Sequence, residues 1–179
     1  MITIRQEQKN DYRKTEEVVK EAFLHEEFSD KKEHELVKRI RECDAFVPEL
    51  SIVAVDEEIV GHIMLSKITI EQDGTSEESL ALAPVSVARG HQKKGIGGKL
   101  IVAALEKAKE LGYESVVVLG HPKYYPKFGF KKASEWNIKP PFEVPDEVFM
   151  VMELRENALE SVEGVVQYSS AFAESRSIG

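Results

Sequence analysis

Between residues 80 and 120 the chain runs LALAPVSV (80–87), then ARGHQKKGIGGK (88–99), then a helical stripe, then ESVVVLG (114–120). An apolar strand, a glycine-rich turn, a long amphipathic helix and a valine strand in that order leave few folds open. In the stripe, Ile96, Leu100, Ile101, Ala104, Leu105, Ala108 and Leu111 recur at helical spacing, and Gly112 is a good terminator. The three adjacent valines, Val116 to Val118, mark a buried strand.

The turn joins a strand end to a helix start. A helix N-terminus leaves about four backbone N–H groups unpaired and carries a partial positive charge, so this junction is a natural anion site. Gly95, Gly97 and Gly98 present no side chain to block a close approach, and Lys93, Lys94 and Lys99 add charge of the right sign. A plain turn with solvated lysines fits the same residues. Two phosphate motifs are excluded. Gly90 and Gly95 have P-loop spacing, but Ile96 stands where the lysine must be. Gly95 and Gly97 begin a G-x-G-x-x-G pattern, but Leu100 occupies the third glycine position.

The rest of the chain supplies the frame. Ile2 and Ile4 predict a short first strand, and Tyr12, Val18, Val19, Ala22 and Phe23 predict a helix from about Asp11. A second helix is expected over 31–42, with Leu36, Val37 and Ile40 on one side. LSIVAVD (50–56), IVGHIMLSKITIE (59–71) and LALAPVSV read as an antiparallel meander, with QDGTSEES as a polar loop before its last strand. EVFMVMEL (147–154) predicts a late strand and GVVQYS (164–169) an edge strand.

With 179 residues, 42% of them hydrophobic, the chain can fill one core well, so 1–179 is expected to form one domain, with a core over about 2–154 and an extension over about 155–179. A net charge of −8 argues against nucleic acid as the main partner and mildly favours a cationic small one. No apolar run suits a membrane span, and the start lacks the basic-then-apolar order of a secretory signal, so a cytoplasmic protein without a membrane partner is expected. The single cysteine, Cys43, excludes an intramolecular disulfide and a thiolate metal cluster, and reads as a structural residue near a helix end. Lys31 to Glu35 read as a solvated mixed-charge helix face. His34 and Glu35 lack partners at metal-binding spacing, and no metal is expected.

Gln92-Lys93-Lys94-Gly95-Ile96-Gly97 resembles the Q/R-x-x-G-x-G/A signature of the GNAT superfamily of N-acetyltransferases. Tyr125, Gly129 and Phe130 resemble that family's second signature, Tyr-x-x-x-Gly-Phe, and the order of elements from about 2 to 154 follows suit. LGHPKYYPKFGF, Trp136, Pro141, Phe142 and FMVMEL resemble a small bacterial branch of predicted N-acetyltransferases. The chain departs from many members in having Gly120-His121-Pro122 and a short proline-bounded turn before the tyrosines.

The resemblance implies an α/β fold whose mixed, largely antiparallel sheet of six or seven strands splays between the strand ending at Val87 and the strand 115–120, with helices on both faces. It implies acetyl-CoA as cosubstrate and direct transfer to a primary amine of a small molecule or protein in a ternary complex. The backbone of Gln92, Lys93, Lys94, Gly95, Ile96, Gly97 and Gly98, with Lys99, would hold the pyrophosphate. Val85, Ser86 and Val87 would pair with the pantetheine arm and donate to the carbonyl oxygen. Tyr125 is the expected proton donor to the leaving thiolate by motif register, with Tyr124 beside it as a cofactor contact and alternative donor. His121, at a strand end with a suitable pKa, is the candidate base. A water relay serves equally. His62 reads as a core or pocket-lining histidine, and Glu26 and Glu27 fall in a loop that often lines the acceptor site. An acetyl-CoA-binding sensor without turnover and a partner-binding domain are the rival readings. The segment after Arg155 has two uses open to it, closing the acceptor side or pairing with a second chain as a homodimer.

Overall fold

The computed structural model describes residues 1–26 and 29–173. Strand β1 (Thr3–Gln6) leads into helices α1 (Tyr12–Phe23) and α2 (Glu33–Arg41). The meander β2 (Phe46–Asp56), β3 (Glu58–Gln72) and β4 (Thr75–Val87) follows, then α3 (Ile96–Glu110) and β5 (Ser115–Leu119). The chain closes through β6 (Lys131–Lys132), β7 (Ile138–Lys139), β8 (Phe149–Glu153) and β9 (Gly164–Gln167).

The strands form one mixed sheet in the order β1-β2-β3-β4-β5-β8-β6, antiparallel throughout except where β4 meets β5. Strand β9 takes the edge of β3 at Thr69–Glu71, beyond the point where β2 lets go at Ser66, and β7 pairs with it in parallel. The C-terminal segment through β9 is thus stitched to its own sheet. The seven-stranded path agrees with the expected architecture. Strands β6 and β7 have two residues each, too few for any period to register.

Alternation divides the core. Leu80, Leu82, Val116 and Val118 face α3, where they meet Ile96, Leu100, Ile101 and Ala104. Ala81 and Val117 face the other way, with Ile68, Ile70, Val151 and Val166. On that same side Val19 of α1 and Leu36, Val37 and Ile40 of α2 cover Met64. A strand covered on both faces needs apolar residues at every position, which is why three valines stand in a row. Each such side chain contributes about 1.5–3 kcal/mol by leaving water.

One expectation is corrected. Residues 72–79 are not a loop: the turn is Asp73-Gly74 alone, with φ of 48° and 83°, and Gln72 pairs with Thr75. Two left-handed residues make the tight hairpin that an Asp-Gly pair favours. The exposed start of β4, Thr75 to Glu78, reaches past the sheet body, so neither face is buried and no apolar alternation marks it. No helix among the described residues is long and apolar enough to cross a membrane.

Candidate active site

The site begins with a defect in β4. Ile63 pairs with Val85 and Leu65 with Leu82, so Ala83 and Pro84 stand together opposite Met64. Two residues facing one is a β-bulge, which bends its strand and breaks the ladder, and Pro84 has no N–H to offer there. On the other edge, β4 pairs with β5 only at Leu80–Val116 and Ala81–Val117. Past the bulge the two strands part, and a cleft opens between them.

Ladder geometry decides which groups face the cleft. The Ala88 N–H bonds to the Val60 carbonyl at 2.7 Å. In an antiparallel pair, alternate residues turn their polar groups to the same neighbour, so Ser86 also faces β3, while Val85 and Val87 face the cleft. Of the three expected backbone donors, two are therefore presented and Ser86 is engaged. The Ser86 side chain is buried, with its hydroxyl unpartnered among the described residues.

The glycine turn delivers the start of α3 to the same place. Gln92 donates from Nε2 to the Val87 carbonyl at 3.2 Å, tying the turn to the end of β4. Lys93 and Gly95 are left-handed, with φ of 66° and 78°. Such alternation of backbone hand around Lys94 curls successive N–H groups toward one side, the arrangement of an anion nest. Gly95 is the N-cap of α3, and no side chain caps the helix. The first-turn amides are thus left for something else, and Lys93, Lys94 and Lys99 stand exposed around them. Ile96 is buried and anchors the helix start. A Cβ on Gly97 would lie 3.5 Å from the Tyr124 hydroxyl and 3.8 Å from Val87, so helix start, strand end and tyrosine converge there. A Cβ on Gly61 would meet Leu100, the Ser86 carbonyl and Ile96 at 3.1–3.3 Å. Glycine in β3 is what lets α3 settle this close.

The segment after β5 supplies the tyrosines. The His121 carbonyl accepts the N–H groups of Tyr124 and Tyr125, which starts a 3-10 turn over Tyr125–Phe128. Tyr124 is half-buried at the groove, with the Lys127 ammonium 4.2 Å above its ring. Tyr125 is fully buried on the α3 side, edge-on to Tyr124 and Phe130. Its hydroxyl has no partner among the described residues. Loss of water holds both phenols above their ordinary pKa, Tyr125 furthest.

Other candidates sort by burial. His121 is exposed, and Glu26 likewise, while Glu27 lies outside the described residues. His62 is wholly buried on β3, with Nε2 2.9 Å from the Ser51 hydroxyl and Nδ1 unpartnered among the described residues. Burial, with Arg41 nearby, pushes its pKa down to about 4 against the pull of Glu7. It is neutral at pH 7. Cys43 follows α2 and donates from Sγ to the Ile40 carbonyl at 3.3 Å. Among the described residues no group of three or more His, Cys, Asp or Glu could hold a metal ion.

On the sheet face opposite α3, a cavity of about 550 Å³ reaches Ala83, Pro84 and Leu119 at the splay. Glu33 lines it and is 2% exposed, which corrects the expectation of a solvated 31–35 face. The signal was present: Glu33 precedes Leu36, Val37 and Ile40 by three, four and seven positions, the spacing of one helix face.

The sequence profile described as the acetyltransferase (GNAT) family matches residues 4–130. The uncharacterized N-acetyltransferase YhbS of Escherichia coli K12 is 30% identical over 154 residues, 85% of this chain and 90% of that protein. YjhQ, an uncharacterized N-acetyltransferase of the same organism, is 35% identical over 122 residues, 67% of each chain. The crystal structure of Escherichia coli YhbS in complex with CoA superposes with a TM-score of 0.85 at 27% identity, covering 99% of this chain and 95% of that one. A GNAT family acetyltransferase from Brucella melitensis in complex with acetyl-CoA gives 0.79 at 31% identity, covering 96% and 98%. Bulged and splayed β4, uncapped glycine helix start and tyrosine turn therefore belong to a member of the GNAT family of N-acetyltransferases.

Proposed function

We propose that the chain binds acetyl-CoA in the β4–β5 cleft and transfers its acetyl group directly to a primary amine in a ternary complex. One observation carries this: the strand edge opened by the Ala83-Pro84 bulge leads, through one turn, to the start of α3, whose N-cap Gly95 is left-handed and which no side chain caps. The free groups match the ligand in order. Val85 and Val87 offer an amide edge to a pantetheine arm, and the amides from Gln92 to Gly98, with the lysines, suit a pyrophosphate. Two similar structures carry CoA or acetyl-CoA.

In the transfer the new C–N bond forms as the C–S bond breaks, the amine loses one proton and the sulfur gains one. The Val85 or Val87 N–H facing the cleft stabilises charge on the acyl oxygen. Tyr125 approaches from the α3 side and donates from its otherwise unpartnered hydroxyl to the departing sulfur. Tyr124 lines the groove beside Gly97. The amine enters from the opposite sheet face, through the cavity at Ala83, Pro84 and Leu119. Its proton leaves through water, because the exposed His121 is not among the residues lining that cavity.

A thermal melt with acetyl-CoA tests the reading. Ligand at about 100 times its dissociation constant adds about 2.7 kcal/mol, which raises the melting point of a chain this size by roughly 5–10 °C. Gly97→Glu places a carboxylate where the pyrophosphate sits and abolishes the rise. No rise in the wild-type chain at millimolar acetyl-CoA removes the proposal, and thiol release with an amine separates turnover from mere sensing.

A further inference from the structure

The cavity on the amine side is walled by chain that the acetyl-CoA cleft does not use. Its floor is the sheet, at Ala81 and Val117, and one wall is Phe23 of α1 with Leu36 of α2. The other wall comes from residues 167–173, with Pro141 and Val144 of the proline-rich connection beside them. Both walls stand on the sheet face from which an amine reaches Ala83, Pro84 and Leu119.

The C-terminal wall is fastened along its length. Strand β9 pairs with Thr69, Ile70 and Glu71 of β3 and with β7, and its Val166 is wholly buried. Beyond the strand, Tyr168 stacks on Phe142 at 5.9 Å and meets Phe172 at 5.1 Å. Ser169 Oγ accepts the Ala171 N–H at 3.1 Å, and the Ala171 carbonyl accepts from Arg39 Nε of α2 at 2.9 Å. Ala171 is buried among Val19, Leu36, Val37 and Ile40, so the segment runs from the edge of β3 to the helices. Its entry into the sheet depends on one residue. Gly164 has a φ of 133°, and a Cβ there would collide with the Glu71 carbonyl, so only glycine seats β9 against β3 in this way.

We infer that residues 164–173 are a fixed wall of the acceptor site, so that the acceptor is a small free amine enclosed in the cavity rather than a lysine or N-terminus displayed on a folded protein. The inference rests on the acetyl-transfer reading above and names the acceptor class of that same site. A protein amine brings its backbone and neighbouring side chains with it. These would have to lie over the splay, where the two walls already stand. Admitting them means lifting a paired strand and the buried Val166 and Ala171 out of the fold. A free amine requires no such opening, and a cavity of about 550 Å³ is of the size that encloses most of a small ligand's surface.

An Escherichia coli extract separated by ultrafiltration into small molecules and dialysed protein tests this, with radiolabelled acetyl-CoA as donor and Gly97→Glu as the blank. Label is expected in the small-molecule fraction, and in the protein fraction only at the level of the blank. Gly164→Ala is expected to speed amide hydrogen exchange over 164–173 and to lower small-molecule labelling at least about tenfold, because the acceptor is no longer held in place. The variant should keep the melting-point rise with acetyl-CoA, which certifies that it folds. If it fails that control, Arg39→Gln, which removes the hydrogen bond to Ala171, takes its place with the same readouts. The inference is overturned if protein is labelled above the blank, if neither fraction is labelled while acetyl-CoA binds, or if the folded variant labels like wild type. Absence of the acetyl-CoA rise in the wild-type chain instead removes the transferase reading beneath it.

Discussion

Tyr125 has a hydroxyl buried without a partner among the described residues, as have Thr15, Ser66 and Ser86, but it alone of these is a phenol beside the start of α3. Leaving such a group unpaired costs about 1–3 kcal/mol, so its retention asks for a compensating role. Burial raises its pKa and keeps it protonated across the working range, so in the proposed transfer it would act chiefly by hydrogen bonding to sulfur as negative charge develops. Tyr125→Phe is expected to lower kcat about a hundredfold while leaving acetyl-CoA affinity within a few fold. Removing a hydroxyl that has no partner among the described residues should also leave the melting point unchanged or slightly higher. Steady-state kinetics beside Tyr124→Phe decide the register, because a loss of kcat confined to Tyr124→Phe moves the proton donor one residue back.

At the scale of elements, the position of α3 matters more than its helicity. Its first turn reaches the end of β4 because β3 offers Gly61 beneath Leu100 and Ile96. Gly61→Val would push the helix off the sheet at its functional end. Overpacking of this kind costs about 1–3 kcal/mol. The expected result is a lower urea midpoint together with at least tenfold weaker acetyl-CoA binding. A variant destabilised to that degree but binding acetyl-CoA like wild type would show that the helix start tolerates displacement. The tyrosine turn depends on its neighbours in the same way: Phe128 sits 3.6 Å from where a Gly98 Cβ would project, so the 3-10 turn and α3 are packed as a pair.

At the scale of the molecule, a buried polar chain ties the helices to the sheet. Arg41 at the end of α2 donates to Glu7 at 2.6 Å and Glu16 at 2.8 Å and stacks over Tyr12 at 3.8 Å. The Ser51 hydroxyl bonds to Glu7 at 2.7 Å and to His62 at 2.9 Å. An unfolded histidine takes up its proton near 6.5, whereas His62 in the fold does so only near about 4. Between those values the unfolded state binds more protons, so stability is full above pH 6.5 and declines as pH falls toward 4. The decline is on the order of 3 kcal/mol across the window. Urea unfolding at pH 7.5, 6 and 4.5 should show it, and His62→Asn should flatten it. Asp11, held below its ordinary value by the Arg5 hydrogen bond, weakens the fold only on further acidification, below 3.8.

The sequence alone determined the meander, the three helices and the glycine turn before α3, because each is a local pattern: period two, period 3.6, and glycines where backbone must be bare. The family signature at 92–97 and the Tyr125 motif were legible for the same reason. Tertiary structure decided the rest. Whether Val85 or Ser86 faces the cleft depends on a ladder set by Val60 and Ala88, residues distant in sequence. Glu33 looked solvated among its charged neighbours until α2 turned that position inward beside Leu36. Phe142 stacks on Tyr168, an encounter no local period encodes, because β9 carries the second back to the first across the edge of β3. Local chemistry fixes what a segment can do, and long-range pairing fixes which groups it meets.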